Sequence, residues 1–141
     1  MGPRQIIIRL PNTPGEMSKV SDILGANGIN IKAMSSSVDG GIGILCLFVD
    51  DHDKGMLVLR SHNYDISETP VIAAYTPDHP GGLGAVVRPL KDASVNIEKI
   101  YLAIARKGEL SLVIIEVDDY ETGIAALKAQ YMDIANGDVQ R

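Results

Sequence analysis

Two stretches of the sequence carry residues whose types and spacing suit the binding of a small charged molecule. In the first, Asn12-Thr13-Pro14-Gly15 precedes a helical pattern and Asn30 follows it. A proline-glycine turn before a helix leaves backbone N–H groups unpaired, and these groups and the helix dipole together attract a carboxylate. A carboxamide such as Asn30 offers two donors and an acceptor, which suits a zwitterion. The stretch therefore predicts a site for a ligand that carries both charges.

The same pattern recurs in the second half of the chain. Asp78-His79-Pro80-Gly81 repeats Asn12-Thr13-Pro14-Gly15 at a constant offset, and Asn96 repeats Asn30 at the same offset. A match at a fixed period indicates a duplicated unit. Each copy spans about 65 residues, and a unit of that size buries only about 60% of its surface, so we expect the halves, or two chains, to support one another. Because Asp78 accepts from an ammonium group but repels a carboxylate, the two sites need not be equivalent.

The elements that must position these residues follow the order strand, helix, strand, strand, helix, strand. In the first copy we predict strands at 5–10, 29–38, 42–49 and 64–69, a helix at 16–27, and a second helix capped by Asp50. Asp39-Gly40 is a strong signal for a two-residue hairpin turn. In the second copy we predict strands at 71–75, 95–105 and 109–117, and helices at 82–93 and 119–131, the first of them kinked at Pro89.

This order predicts an α+β protein of two ferredoxin-like βαββαβ units, whose antiparallel sheets carry helices on one face. The expected domains are residues 1–69 and 70–141. Strand 42–49 is apolar on both faces, which predicts that the helix-free face is covered by another sheet, in an oligomer or in a folded-over pair. If the two copies joined edge to edge through their second strands, the Thr69-Pro70 connection would have to cross roughly six strand spacings, about 29 Å, and it is too short to do so. Either the copies exchange end strands, or the side-by-side neighbour is another chain.

Composition excludes several classes of function. A net charge of -5 without a basic patch argues against nucleic acid as a partner. The single Cys46 excludes an internal disulfide, and no apolar run approaches the ~18 residues of a membrane span. Because the N-terminus also lacks the apolar run of a signal peptide, we expect a soluble cytoplasmic protein.

The remaining polar clusters have structural explanations. The acidic residues at 50–53 are repeated at 118–121, where they precede a helix, and acids at this position cap the helix and complement its dipole. We therefore predict no metal site and no cofactor. His52 and His62 are expected at the surface, and His79 at the rim of a site. No nucleophile stands with a base, so we predict that the protein is not an enzyme.

The motif N-x-P-G-x-hydrophobic, followed by a valine and a leucine at helical spacing and by G-I-N-I, resembles the ACT domain. This is a ferredoxin-like regulatory module of amino-acid metabolism, and the resemblance covers nearly the whole chain as a tandem pair. It implies that an amino acid binds where two modules meet, between the loop after the first strand of one module and the second-strand start of its neighbour. The phosphoglycerate dehydrogenase type of this family carries a histidine where this chain has Leu10 and Thr76, so the motif does not fix which amino acid binds.

The residues that the resemblance assigns to ligand binding fall in the loops, helix starts and strand starts of both copies. They are Asn12, Thr13, Pro14, Gly15, Glu16, Met17, Asn30 and Ile31 in the first copy, and Asp78, His79, Gly81, Gly82, Leu83, Asn96 and Ile97 in the second. We therefore predict a homodimeric regulatory protein that senses an amino acid and modulates an enzyme of amino-acid metabolism. The alternative is an oligomerisation module that binds nothing. An enzyme on the same fold is the least favoured reading, because fold alone implies no chemistry.

Overall fold

The computed structural model describes residues 2–77, 79–103, 111–129 and 134–135. The chain forms two compact units, one built on Arg4–Thr69 and the other on Pro70–Val139, to which Pro3 also belongs. The N–H of Val71 donates to the carbonyl of Pro3 at 3.0 Å, which holds the start of the chain on the second unit.

Each unit repeats the predicted order of elements. The first contains β1 (Arg4–Pro11), α1 (Glu16–Ala26), β2 (Ile31–Asp39), β3 (Ile42–Val49), α2 (His52–Ser61) and β4 (Asp65–Pro70). The second contains β5 (Ile72–Thr76), α3 (Gly82–Asp92), β6 (Ile97–Leu102), β7 (Ser111–Val117), α4 (Tyr120–Ala129) and β8 (Ile134–Ala135). The α+β class and the two βαββαβ units are therefore confirmed.

The strand order within each sheet determines which loops share an end. The first sheet has the order β2-β3-β1-β4 and the second the order β6-β7-β5-β8. Strands β1 and β2 both pair antiparallel with β3, so they run parallel to each other. The end of β1 and the start of β2 consequently lie at opposite ends of the sheet.

The helices cover one face of each sheet. Alternate strand residues such as Ile6 and Ile8 pack with Val20 and Leu24 of α1 and with Leu59 of α2 in one buried cluster. Burial of such a side chain stabilises the fold by about 1.5–3 kcal/mol. The second unit has a matching cluster that includes Ile72, Val86, Leu90, Ile115 and Leu127.

A pair of equivalent glycines lets the second helix of each copy approach its sheet. A Cβ added at Gly55 would lie 3.1 Å from Ile6 Cδ1, and one added at Gly123 would lie 3.0 Å from Ile72 Cδ1. The duplication therefore extends to the packing of individual side chains.

The other face of each sheet is buried as well. Cys46 and Phe48 alternate with the residues that pack under the helices, and their relative exposures are 2% and 0%. Ala73 and Ile114 of the second copy are equally buried. The central residues of β3 and β7 are thus buried on both faces of the sheets, as their consecutive apolar residues predict.

Several details differ from the sequence-based expectation. The hairpin between β2 and β3 turns at Gly40-Gly41, one residue later than predicted, because Asp39 still pairs with Ile42. Each copy keeps its own end strand, with β4 beside β1 and β8 beside β5, so the exchange of end strands left open above is not found. Helix α3 contains Pro89 and continues to Asp92. The predicted second hairpin and final helix extend in part outside the described residues.

The acidic residue assigned to cap α2 was also wrong by one position. Asp51 is the N-cap, and its side chain accepts from the N–H of Lys54 at 3.2 Å. Asp50 instead accepts from the N–H of Asn30 at 2.9 Å, so it ties the helix start to the start of β2. Among the residues that the structure describes, none of the helices combines the length and the apolar character that crossing a bilayer would require.

Candidate functional site

The loop between β1 and α1 presents unpaired donors at a helix start. Gly15 occupies the N-cap position at φ 91°, a left-handed conformation that favours glycine, and no side chain caps the helix. The N–H of Asn12 donates to the carbonyl of Gly41 at 3.1 Å, so the loop is held against the β2–β3 hairpin. The first-turn N–H groups of α1 are therefore available to an acceptor from outside the chain.

A cavity of about 190 Å³ opens between this loop and the hairpin. We call it the first-copy pocket. Its walls come from β1 and the loop (Leu10, Pro11, Asn12, Thr13), from α1 (Glu16, Met17), from β2 (Ser36, Ser37, Val38) and from β3 (Gly43, Ile44, Leu45). It is smaller than the roughly 300–1,000 Å³ of drug-sized sites, and it offers the volume of about six water molecules.

Glu16 supplies the negative charge of this pocket. Its side chain is only 20% exposed, and its Oε1 lies 3.3 Å from Nζ of Lys19 one turn later. The carboxylate stands in the first turn of α1, where a negative charge complements the helix dipole. It is thus a fixed acceptor at the edge of an otherwise neutral cavity.

The pocket agrees in part with the sequence-based assignment. It brings together four of the assigned residues, namely Asn12, Thr13, Glu16 and Met17. The serines and the strand residues that form its far wall were not predicted. They belong to the hairpin and reach the loop only through the pairing of β1 with β3, for which the sequence carries no local signal.

Asn30 lies away from the first-copy pocket. It precedes β2, its side chain is exposed, and its backbone exchanges two hydrogen bonds with Asp50, at 2.9 and 3.1 Å. Because β1 and β2 are parallel, Asn30 is at the opposite end of the sheet from Asn12. One unit alone therefore does not bring these two side chains to the same ligand.

Asn96 occupies the equivalent place in the second copy. Its N–H donates to Asp118 Oδ1 at 2.9 Å, and its carbonyl accepts from the N–H of Asp118 at 3.1 Å. An open depression beside it is lined by Asn96 and Ile97 and by Val87 and Lys91 of α3. The two asparagines are thus held by the same backbone arrangement, which leaves each carboxamide free to reach outward.

The loop of the second copy is closed on its own helix. The buried hydroxyl of Thr76 donates to the carbonyl of Gly82 at 2.7 Å, and the N–H of Gly82 donates to the carbonyl of His79 at 2.9 Å. A Cβ added at Gly82 would overlap the carbonyl oxygen of Pro77. Gly81 at φ 83° is the N-cap, as Gly15 is in the first copy. His79 is exposed, and Asp78 lies outside the described residues.

His52 was expected at the surface, and this prediction was wrong. It is 5% exposed, and its Nε2 lies 2.5 Å from Oε2 of Glu68. Arg4 contacts the same carboxylate at 3.3 Å and Asp53 at 2.9 Å. The hydrogen bond from His52, aided by the charge of Arg4 and opposed by burial, lowers the pKa of the Glu68 carboxyl below its ordinary value of 4.5. This cluster could not be predicted from local sequence, because β4 brings Glu68 to the helix start from 16 residues away.

The repeated acidic residues behave as helix caps. Asp119 accepts from the N–H of Thr122 at 3.2 Å, as Asp51 does from that of Lys54. The hydroxyl and the N–H of Thr122 lower the pKa of the Asp119 carboxyl. In the described part of the chain, no group of three or more acidic, histidine or cysteine side chains is arranged to hold a metal ion.

Two four-stranded antiparallel sheets, each covered by two helices on one face, define the chain as a tandem ferredoxin-like protein. Residues 4–62 match the family model of the ACT domain. The first copy therefore matches the ACT domain, and this match supports a small-molecule-binding regulatory role. None of the curated proteins is close enough in sequence to count as a relative.

Solved structures resemble the chain over almost its whole length. Protein BT0572 from Bacteroides thetaiotaomicron has a TM-score of 0.91 and 27% identity, and the match covers 100% of this chain and 97% of that one. The ligand-free regulatory subunit of aspartate kinase from Thermus thermophilus has a TM-score of 0.66 and 21% identity, with 92% and 91% covered. At that identity the second likeness shows the fold alone.

Proposed function

We propose that this protein is a regulator that binds a small amino acid where two ACT-like modules meet and transmits the bound state to an enzyme of amino-acid metabolism. The observation that carries the proposal is the uncapped start of α1, which opens onto the first-copy pocket. A ligand carboxylate can accept from the first-turn N–H groups. The ammonium group and the side chain can then enter the pocket.

The second half of the proposed site comes from a neighbouring module. Asn30 and Asn96 each hold an exposed carboxamide at a strand start, and their backbones are anchored by Asp50 and Asp118. A loop from one module and an asparagine from another can meet on one ligand, whereas the two cannot meet within one unit. This geometry favours a site that is completed by association.

We further propose that the protein acts as a homodimer in the cytoplasm. The outer strands of the two sheets, β2 and β6, expose apolar side chains, with Val38 at 58% and Leu102 at 59%. An exposed apolar edge strand is a template for pairing with a second chain. Cys46 is buried and is not part of a disulfide among the described residues, as is common in reducing compartments. Light scattering that finds a folded monomer at micromolar concentration would contradict the dimer.

The exposed edges also favour the second candidate, an oligomerisation module without a ligand. A thermal-shift panel of the twenty amino acids separates the two, because a ligand that binds only the folded state raises its stability by RT ln(1 + [L]/Kd). The proposed function predicts a concentration-dependent rise in Tm with at least one of them. A flat response to all twenty at millimolar concentration, with a dimer still present, would favour the oligomerisation module.

A further inference from the structure

We infer that the first-copy pocket is selective for the ammonium end of an amino acid with a short aliphatic side chain. Glu16 is the residue that sets this selectivity. The second copy has no equivalent of Glu16 in the first turn of α3. This inference rests on the proposed function and specifies the ligand class that the site takes. It follows from the charge, the walls and the asymmetry of the pocket, which are taken in turn below.

The charge of the pocket comes from a carboxylate with an unused oxygen. Glu16 is four-fifths buried, and its one ion pair joins Oε1 to Lys19, whose own side chain is 65% exposed. Oε2 has no partner among the described residues. None of the residues that line the cavity is basic. A ligand carboxylate inside the cavity would meet a like charge without compensation, whereas an ammonium group would gain a charge-assisted hydrogen bond.

The apolar walls of the pocket determine which ligand side chain fits beside the ammonium group. Leu10 and Leu45 form its buried side, at 4% and 3% exposure, and Ile44 and Met17 extend the apolar surface toward the mouth. The volume of about 190 Å³ holds a few methyl groups beside an ammonium group. An uncharged, branched aliphatic group matches this surface best.

The second copy does not reproduce this arrangement. Gly82 stands where the first copy has Glu16, and no acidic residue occupies the first turn of α3. Thr76 replaces Leu10 and uses its hydroxyl to fix the carbonyl of Gly82. Pro77 fills the space that a side chain at position 82 would need. The described part of the second loop is therefore committed to internal contacts, and the first turn of α3 offers no counterpart of Glu16.

Three probes test the inference. L-Valine carries both charged groups, isobutylamine is the same skeleton without the carboxylate, and isovalerate is the same skeleton without the amine. We expect L-valine and isobutylamine to shift the backbone amide resonances of Thr13, Ser36 and Gly43. Isovalerate should shift them far less at the same concentration, because its carboxylate gains nothing from Glu16. Glu16→Gln should raise the dissociation constant for isobutylamine tenfold or more, because the variant loses a hydrogen bond between two charged groups. A tenfold change corresponds to roughly 1.4 kcal/mol.

Asp22→Asn is the matched control, since it removes one exposed charge from the same helix outside the pocket. The affinity of Asp22→Asn for isobutylamine should stay within about twofold of the wild-type value, because salt screens an exposed charge outside the pocket. Isovalerate binding as tightly as isobutylamine, Glu16→Gln leaving the affinity unchanged, or shifts confined to the second copy would each overturn the inference.

The same experiments separate this inference from the proposed function. If some amino acid binds and Asn30→Ala weakens it while Glu16→Gln does not, the inference fails and the proposed function stands. If a charged or aromatic amino acid binds and L-valine does not, the aliphatic selectivity fails. If none of the twenty amino acids binds, both fail.

Discussion

Removal of the Glu68 carboxylate tests whether the ionic cluster around the buried His52 stabilises the fold of the first copy. Oε2 of Glu68 lies 2.5 Å from Nε2 of His52. The other ring nitrogen of His52, Nδ1, is buried and has no hydrogen-bond partner among the described residues. Glu68→Ala would leave both ring nitrogens unsatisfied. A buried polar group that loses its partner costs about 1–3 kcal/mol. Because the Glu68 side chain is 40% exposed and partly screened, the lower part of that range, about 1–2 kcal/mol, is expected.

Thermal unfolding followed by circular dichroism measures this loss. For a chain of about 150 residues each kcal/mol shifts Tm by roughly 2–4 °C, so Glu68→Ala should lower Tm by about 2–8 °C. Glu68→Gln keeps an acceptor for His52 and should lose less. Asp65→Ala is the control on the same strand, since Asp65 is exposed and should change stability by less than about 0.5 kcal/mol. Equal Tm values for Glu68→Ala and Asp65→Ala would refute the reasoning.

The hydrogen bond between His52 and Glu68 also predicts that the stability of the protein depends on pH. The pKa of Glu68 is lowered in the folded protein, so its ionised form contributes stability that is present at neutral pH. This contribution is lost as the pH falls below 4.5 and through the folded-state pKa. The difference in unfolding free energy between the wild type and Glu68→Gln should therefore shrink from pH about 7 to about 3. A difference that grows over this range would contradict the assigned direction.

Three further outcomes are expected. Asn30→Ala and Asn96→Ala should each weaken amino-acid binding roughly 10- to 150-fold in calorimetry, with Tm unchanged in the absence of ligand, because only exposed carboxamides are lost; unchanged affinity in both would mean that the ligand binds elsewhere. Gly82→Ala should cost about 1–3 kcal/mol in chemical denaturation because its Cβ would overlap Pro77, whereas Gly25→Ala, with open space around it, should be neutral or stabilising. The first copy expressed alone should aggregate or unfold non-cooperatively, since a unit of about 65 residues is marginal in size; a soluble, sharply melting fragment would contradict this.

The fold could be predicted in some detail from the sequence. The short apolar run after the hairpin signal placed strand 42–49 at its observed bounds, and the duplicated turn residues predicted the starts of both α1 and α3. The observed ends of several elements differ from the predicted ends by one or two residues, where neighbouring residues compete for the same hydrogen bonds. Asp50 and Asp51 are both suitable caps, and the choice between them depends on Asn30, which lies 20 residues away and draws Asp50 to itself.

The candidate site could be predicted only where its residues are close in the sequence. The loop and helix start at 12–17 were assigned from local turn chemistry and from the resemblance, and four of these residues, Asn12, Thr13, Glu16 and Met17, line the first-copy pocket. The hairpin wall was missed because the register of β3 on β1 brings it to the loop. The burial of His52 was missed for the same kind of reason, since it depends on Glu68 from β4.

By itself, then, the sequence determined the duplication, the order of elements and the residues with suitable chemistry, because these depend on local backbone preference and apolar periodicity. Tertiary structure decided which of those residues meet. The parallel course of β1 and β2 separates Asn12 from Asn30, and the contact of Thr76 with Gly82 closes one loop while its counterpart remains open. Such outcomes depend on strand register and on side-chain volume across the core, which act between residues far apart in the chain.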